Sequence, residues 1–268
     1  MALICGSNAI LAHLLKTRYP LVPRFMKIDN PISRRLFLAL TGGAALAPAA
    51  AWTASDVPPL LDHILLGCSD LDSGVDFVAQ HTGVRAVFGG VHPGRGTRNA
   101  LLSLGARSYL EIIAPDPKQD RVEQFAQKQV EHLKQLASPH LIGWAAHPAD
   151  LEKFAARLRE ANIAFDGPRP GSRQRPDGKL LKWKTLNLKD DKNGLLPFFI
   201  EWSADSLHPS ADAPKGCSLL SFGAAIPETE DLSRVAAVLQ LNLPISVSNK
   251  AALQATLVGP NGELKLSS

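Results

Sequence analysis

Cysteine is scarce: there are three in 268 residues, and only Cys68 and Cys217 lie beyond residue 51. That excludes a disulfide framework of the kind that staples small secreted domains. The two remaining thiols are open either to pairing in an oxidising compartment or to separate burial. A basic surplus is also missing where it would matter. The formal net charge is +4, but residues 1–51 hold Lys16, Arg18, Arg24, Lys27, Arg34 and Arg35 against Asp29 alone. Without them, 23 basic residues face 24 acidic ones, a net of −1, so no electrostatic footprint for nucleic acid remains. No apolar run spans a bilayer stably; the best candidate, within residues 33–51, offers roughly 16 apolar residues rich in Gly and Ala. Nor is there a phosphate-binding loop. The glycine cluster "GGVHPGRGTRN", Gly89 to Asn99, has Arg95 where Gly-Lys-Ser/Thr is required, and it runs into a strand-like "NALLSL" rather than a helix.

What the chain does contain is repetition. Three segments look alike: "LDHILLGCSDLDSGVDFVAQHTGV", "LIGWAAHPADLEKFAARLREANI" and "LLSFGAAIPETEDLSRVAAVLQLNLP". Each reads as an apolar strand, a short turn, an Asp-Leu pair and an amphipathic helix. The pairs begin at Asp70, Asp150 and Asp231, 80 and 81 residues apart, the spacing of duplicated supersecondary units. A carboxylate near each helix start caps free N–H groups and meets the positive dipole end. Leu151, Phe154, Leu158 and Ile163 give the second copy its helical stripe. Strand-like runs follow each helix, such as "RAVFGGVH", "TRNALLSLG" and "SYLEIIAP" in the first copy. The expected class is α+β: tandem β-α-β-β-β modules at 60–116 and 140–204, a linking helix within 117–139, and a third, shorter β-α-β-β unit at 216–268.

Residues 33–51, "SRRLFLALTGGAALAPAAA", resemble a twin-arginine export signal, with Ala49 and Ala51 placed for cleavage near Ala51. The resemblance implies export of an already folded protein, through the twin-arginine machinery, to the periplasm or beyond. Residues 1–25 lack the charged start of a signal, whereas Met26 followed by Lys27 has it, so translation is expected to begin at Met26.

Tandem modules with His63 in "LDHILL" and Glu111 in "YLEII" resemble the vicinal oxygen chelate superfamily, which includes the glyoxalases. The stretch from "HPGRGTRNALLSLG" to "YLEIIAPDP" resembles its glyoxalase-like domain proteins in particular. The likeness covers residues 60–204 and, loosely, the remainder. It implies a mixed sheet curled around a shared cavity, with metal ligands from the first and last strands of each module. Those positions fall on His63, Glu111 and Glu201 in "FFIEW", a set suited to Zn, Mn, Fe or Ni. The fourth falls on Gly143, beside Trp144, and cannot bind; His140 and His147 lie out of register. In the third copy the Glu position becomes Lys265. Such a metal would leave room for a substrate's adjacent oxygens, with Glu111 or Glu201 as base. The alternative is a decayed set, with His63 a core histidine and the acids lining a cavity or paired with Arg98 or Arg107.

The glycine cluster then reads as a hairpin at the cavity mouth. Pro93 fixes its entry, and Gly94 and Gly96 permit positive φ. His92, Arg95, Thr97 and Asn99 would face a ligand, Trp144 would line the same space, and His92 is the best substitute for the missing ligand. Alternatively, Gly and Pro only make the turn and Asn99 satisfies loop backbone. The basic run "RPGSRQRPDGKLLKWK", Arg169 to Lys184, is either a flap that draws in carboxylates or a solvated hairpin, with Trp183 covering the cavity or packed beneath the loop.

The functional expectation is an exported protein acting on a small oxygenated molecule as a metal-dependent lyase, isomerase or oxygenase. The rivals are a binding protein that sequesters a small compound, and an interaction module docking through its third repeat. A homodimer is open in each case.

Overall fold

The computed structural model describes residues 56–268, so the export signal and the Met26 start lie outside the described residues. The first unit comprises β1 (Leu61–Gly67), α1 (Leu71–Thr82), β2 (Val87–His92), β3 (Thr97–Gly105) and β4 (Ser108–Pro115). A linking helix, α2 (Gln124–Lys134), leads to the second unit: β5 (His140–Ala146), α3 (Leu151–Glu160), β6 (Phe165–Gln174), β7 (Leu180–Leu188) and β8 (Phe198–Trp202). The third holds β9 (Ser218–Ile226), α4 (Thr229–Val238), β10 (Ile245–Val247), β11 (Ala252–Gly259) and β12 (Gly262–Ser267).

Local chemistry starts the helices. Asp70 accepts from the Ser73 amide at 2.9 Å and Asp150 from the Lys153 amide at 2.9 Å, each capping its helix. The third copy differs. Glu228 stands at the cap without a side-chain bond, and Asp231 sits in the first turn, where it meets the helix dipole and pairs with Lys192 and Arg234 without capping.

Eight strands form one mixed sheet in the order β2-β3-β4-β1-β5-β8-β7-β6. In each unit the first strand runs parallel to the fourth, and the two first strands, β1 and β5, meet antiparallel at the centre. This is the curled tandem architecture expected. The third unit, Ser218–Ser267, is shorter than the other two, as expected, but its strand count and order differ from expectation. It has all three strands after its helix and forms a separate sheet, ordered β10-β9-β11-β12, with its first strand between the second and third. The three-residue β10 pairs parallel with β9, so the α4 crossover returns the chain beside its own first strand instead of out to a hairpin edge.

Period-two alternation divides the large sheet's faces. Ile64, Leu66, Leu102, Leu110 and Ile112 are fully buried on the outer side, under α1 and the small sheet. Trp144 of β5 meets Phe222 of β9 edge-on at 5.1 Å, so the small sheet closes the back of the large one. Each such aliphatic residue contributes about 1.5–3 kcal/mol by leaving water. The outer face therefore carries assembly, and the concave face is free to hold polar groups. Cys68 and Cys217 are separate free thiols, both buried, and do not pair. Burial pushes the Cys68 thiol up to about 12, so it stays protonated and inert. Among the described residues no helix is long and apolar enough to cross a membrane.

Candidate functional site

The large sheet curls around a cavity of about 300 Å³. Odd-numbered residues of β4 (Tyr109, Glu111 and Ile113) face it, as do His63 and Leu65 of β1 and Thr97 and Asn99 of β3. Glu111 is 7% exposed, and a carboxylate so buried needs partners. Asn99 Nδ2 donates to its Oε1 at 2.7 Å. His63 Nε2 lies 3.5 Å from Oε2 and His92 Nε2 lies 3.5 Å from Oε1. Burial pushes the Glu111 pKa up, but His92, His63, Asn99 and Arg173 reverse that and hold it below the ordinary glutamate value. Glu111 is thus an ionised carboxylate at neutral pH.

The surrounding hydrogen bonds set the orientation of each ring and amide. Asn99 Oδ1 accepts from Arg173 Nη1 at 3.4 Å, which leaves its Nδ2 for Glu111 and, at 3.4 Å, for His92 Nε2. His92 therefore keeps its proton on Nδ1 and donates to Thr97 Oγ1 at 2.9 Å. Burial lowers the His92 pKa to about 4, against the pull of Glu111, so the ring is neutral.

Behind His63 lies Asp62, which is 0% exposed. Its Oδ1 sits 2.6 Å from His63 Nδ1, and its Oδ2 accepts from Trp202 Nε1 and His208 Nε2, each at 3.1 Å. The Ser210 amide donates to His208 Nδ1 at 3.2 Å, which fixes the His208 proton on Nε2. Burial opposes the Asp62 charge, yet the hydrogen bonds from His208 and His63 more than offset it and hold the carboxyl well below the usual range. Asp62 thereby keeps a proton on His63 Nδ1 and aims Nε2 into the cavity, as a buried carboxylate does for a catalytic imidazole. Tyr109 stacks on the His63 ring at 4.5 Å, and burial keeps its phenol protonated.

Of the residues singled out from sequence, His63, His92, Thr97, Asn99 and Glu111 converge. The turn between β2 and β3 takes the positive φ expected, 74° at Gly94 and 66° at Gly96. Arg95 stands on the cavity wall with its guanidinium 5.5 Å from the Phe125 ring centroid. Trp144 borders the cavity, but its indole N–H is taken by the Leu195 carbonyl at 3.0 Å, so it offers a ligand no polar group. Glu201 is a correction. Ile200 and Trp202 face the cavity, so the residue between them points to the opposite side, where its Oε2 accepts from the Leu151 amide at 2.6 Å and helps cap α3. It is neither ligand nor base here.

The expected metal fails the same test. A divalent ion needs converging lone pairs. Glu201 is turned away, Gly143 has no side chain, and the Asn99 N–H₂ fills the space beside Glu111 Oε1. Among the described residues no group of three or more His, Cys, Asp or Glu is arranged to hold a metal ion. The residues present do not fit the expected set.

Asp62, Tyr109, Trp202 and His208 were not foreseen. Tyr109 carried a signal, standing two residues before Glu111 on the same strand face. Asp62 was masked because strand neighbours ordinarily face apart, and His208 lies in a loop with no pattern to mark it.

The family model described as "Glyoxalase-like domain" matches residues 61–239. No curated protein matches the chain. Among solved structures, a hypothetical protein from Staphylococcus aureus is 17% identical with a TM-score of 0.55, covering 77% of this chain and 84% of its own. A methylmalonyl-CoA epimerase from Mycobacterium tuberculosis is 19% identical with a TM-score of 0.38, covering 57% of this chain and 92% of its own. With the tandem modules, their shared cavity and most of its length matched by that model, the chain belongs to the glyoxalase-like domain family of the vicinal oxygen chelate superfamily.

Proposed function

We propose that the protein binds a small oxygenated organic molecule in this cavity and moves a proton on it, as an isomerase or lyase does. One observation carries the reading: Glu111 is held ionised by the Asn99 amide and faces the His63 imidazole, which is backed by the buried Asp62. Glu111 Oε1 is occupied by Asn99, which leaves Oε2 to act as base. It takes a proton from a carbon beside a carbonyl. The C–H electron pair forms the new C=C bond, and the carbonyl π pair moves to oxygen. His63, held from behind by Asp62, delivers a proton from Nε2 to that oxygen, giving an enol. Return of the proton from Glu111 to carbon, and of the oxygen's proton to His63, restores both groups. Fixed donors stabilise the developing charge without reorganising. This proton transfer uses only side chains that line the cavity.

A second reading, capture of a ligand without turnover, has its own support. The surroundings that keep Glu111 ionised also make it a weaker base, which favours holding over reacting. Export through the twin-arginine machinery belongs to the same proposal and rests on "SRRLFL". Sequencing the N-terminus of the protein from a periplasmic fraction tests it, and a start upstream of Ala49 refutes cleavage there.

The chemistry is tested by hydrogen–deuterium exchange at the carbon beside the carbonyl, followed by NMR over a panel of small carbonyl compounds. Exchange with the native protein and none with Glu111→Gln supports proton transfer. Binding without exchange leaves the sequestration reading.

A further inference from the structure

We propose that Arg173 is the anion grip of this cavity, and that the ligand is a small carboxylic acid with an apolar body; this rests on the reading of the cavity as a binding site. Arg173 belongs to β6, one edge of the large sheet, and reaches across to β3 near the other edge. The residue is 3% exposed and lines the cavity.

Its company sets it apart from the other cations of the same hairpin. Arg169 pairs with Asp166, Arg175 with Asp177 and Asp212, Lys179 with Asp177, Lys182 with Asp205 and Lys184 with Glu152. Each of those five has a carboxylate partner, and all but the half-buried Arg175 are surface charges. Arg173 is turned inward and has no carboxylate at ion-pair distance among the described residues. Its one side-chain hydrogen bond, to Asn99 Oδ1, is long at 3.4 Å. A guanidinium carries five N–H donors and does not lose its charge, and since no Arg173 nitrogen is a buried orphan among the described residues, the donors that Asn99 does not take stay open for a ligand's oxygens. Glu111 offsets the charge only at one remove, through the Asn99 amide.

The chain makes room for this guanidinium. A Cβ on Gly89 would lie 2.9 Å from Arg173 Nη1, and one on Gly90 would also lie 2.9 Å from it. The paired glycines of β2, at an irregularity in the β2–β3 pairing, thus form a slot for the guanidinium. A planar fork grips a carboxylate through two parallel bonds, which a lysine cannot reproduce. The cavity's apolar lining of Ile142, Trp183, Phe198 and Ile200 suits an apolar body. Because Asn99 joins Arg173 to Glu111, an acid held by Arg173 lies on the Glu111 side of the cavity.

The test is calorimetric titration of 3-phenylpropionate and of 3-phenylpropanamide, its uncharged isostere, into the native protein, Arg173→Lys and Arg173→Gln, with thermal midpoints for each. The native protein is expected to prefer the acid by at least about tenfold. Arg173→Gln should lower acid binding to the level of the amide, with Arg173→Lys between. Equal affinity for acid and amide, no binding of either to the native protein, or undiminished acid binding by Arg173→Gln overturns the proposal. Should Arg173→Gln fail to fold, the acid-to-amide ratio in the native protein and Arg173→Lys decides. Acid binding that depends on Arg173, with no carbon exchange, supports the grip and refutes proton transfer. Exchange on uncharged carbonyls that is indifferent to Arg173→Lys does the reverse.

Discussion

Asp62 and His63 are consecutive in the chain, yet their side chains meet at 2.6 Å, Oδ1 to Nδ1. On a regular strand they would face apart. The β1–β5 pairing slips by one residue between Leu61 and His63, and the extra residue turns both groups the same way. Trp202 and His208, remote in sequence, complete the Asp62 shell from the far end of the second unit.

Asp62→Asn is expected to cost about 3 kcal/mol of folding stability, because three N–H donors would then face a neutral amide with N–H groups of its own. Urea unfolding measures it. A loss below about 1 kcal/mol would mean that the carboxylate is not what holds the shell together.

Acid should weaken the fold in a defined window. The His92 pKa falls from 6.5 in the unfolded chain to about 4 when folded, first through burial, with Arg173, Arg95 and His63 adding to it and Glu111 opposing. Between those values the unfolded state binds the proton and the folded state does not, so the contribution is complete above 6.5 and is lost as pH falls toward 4. The full loss is roughly 3 kcal/mol. His92→Gln should flatten this part of a stability-versus-pH curve; an unchanged slope would refute the assignment.

Glu201→Ala should cost about 1 kcal/mol through a weakened start of α3 and leave ligand affinity untouched. Calorimetry alongside thermal unfolding separates the two effects. A fall in affinity comparable with that of Arg173→Gln would return Glu201 to the cavity.

Removing divalent ions with a chelator should change neither the thermal midpoint nor the affinity for 3-phenylpropionate, since the donors around Glu111 are completed by an amide N–H₂ rather than a lone pair. A midpoint that drops on chelation and recovers with added zinc or manganese would show that the cluster rearranges around a metal.

How far the residues could be read follows from how local each interaction is. Asp70 and Asp150 cap helices through the third residue onward, so equal spacing exposed the two modules directly. His63 and Glu111 sit in strands whose own alternation marks their face. Glu201 misled because the phase of β8 depends on its pairing with β5 and β7, and a shift of one residue exchanges the faces. The third unit's strand order is likewise a pairing choice, one that its helix and strand patterns leave open.

The residues alone therefore determined the duplicated modules, their helix starts and the acid and imidazole of the first copy, because period and capping act over a few neighbours. Tertiary structure decided the rest: that Arg173 turns inward while its hairpin neighbours pair outside, that Asp62 shares a face with His63, and that Glu201 caps a helix. Each of these depends on which distant backbone lies alongside, and no short stretch of chain contains that.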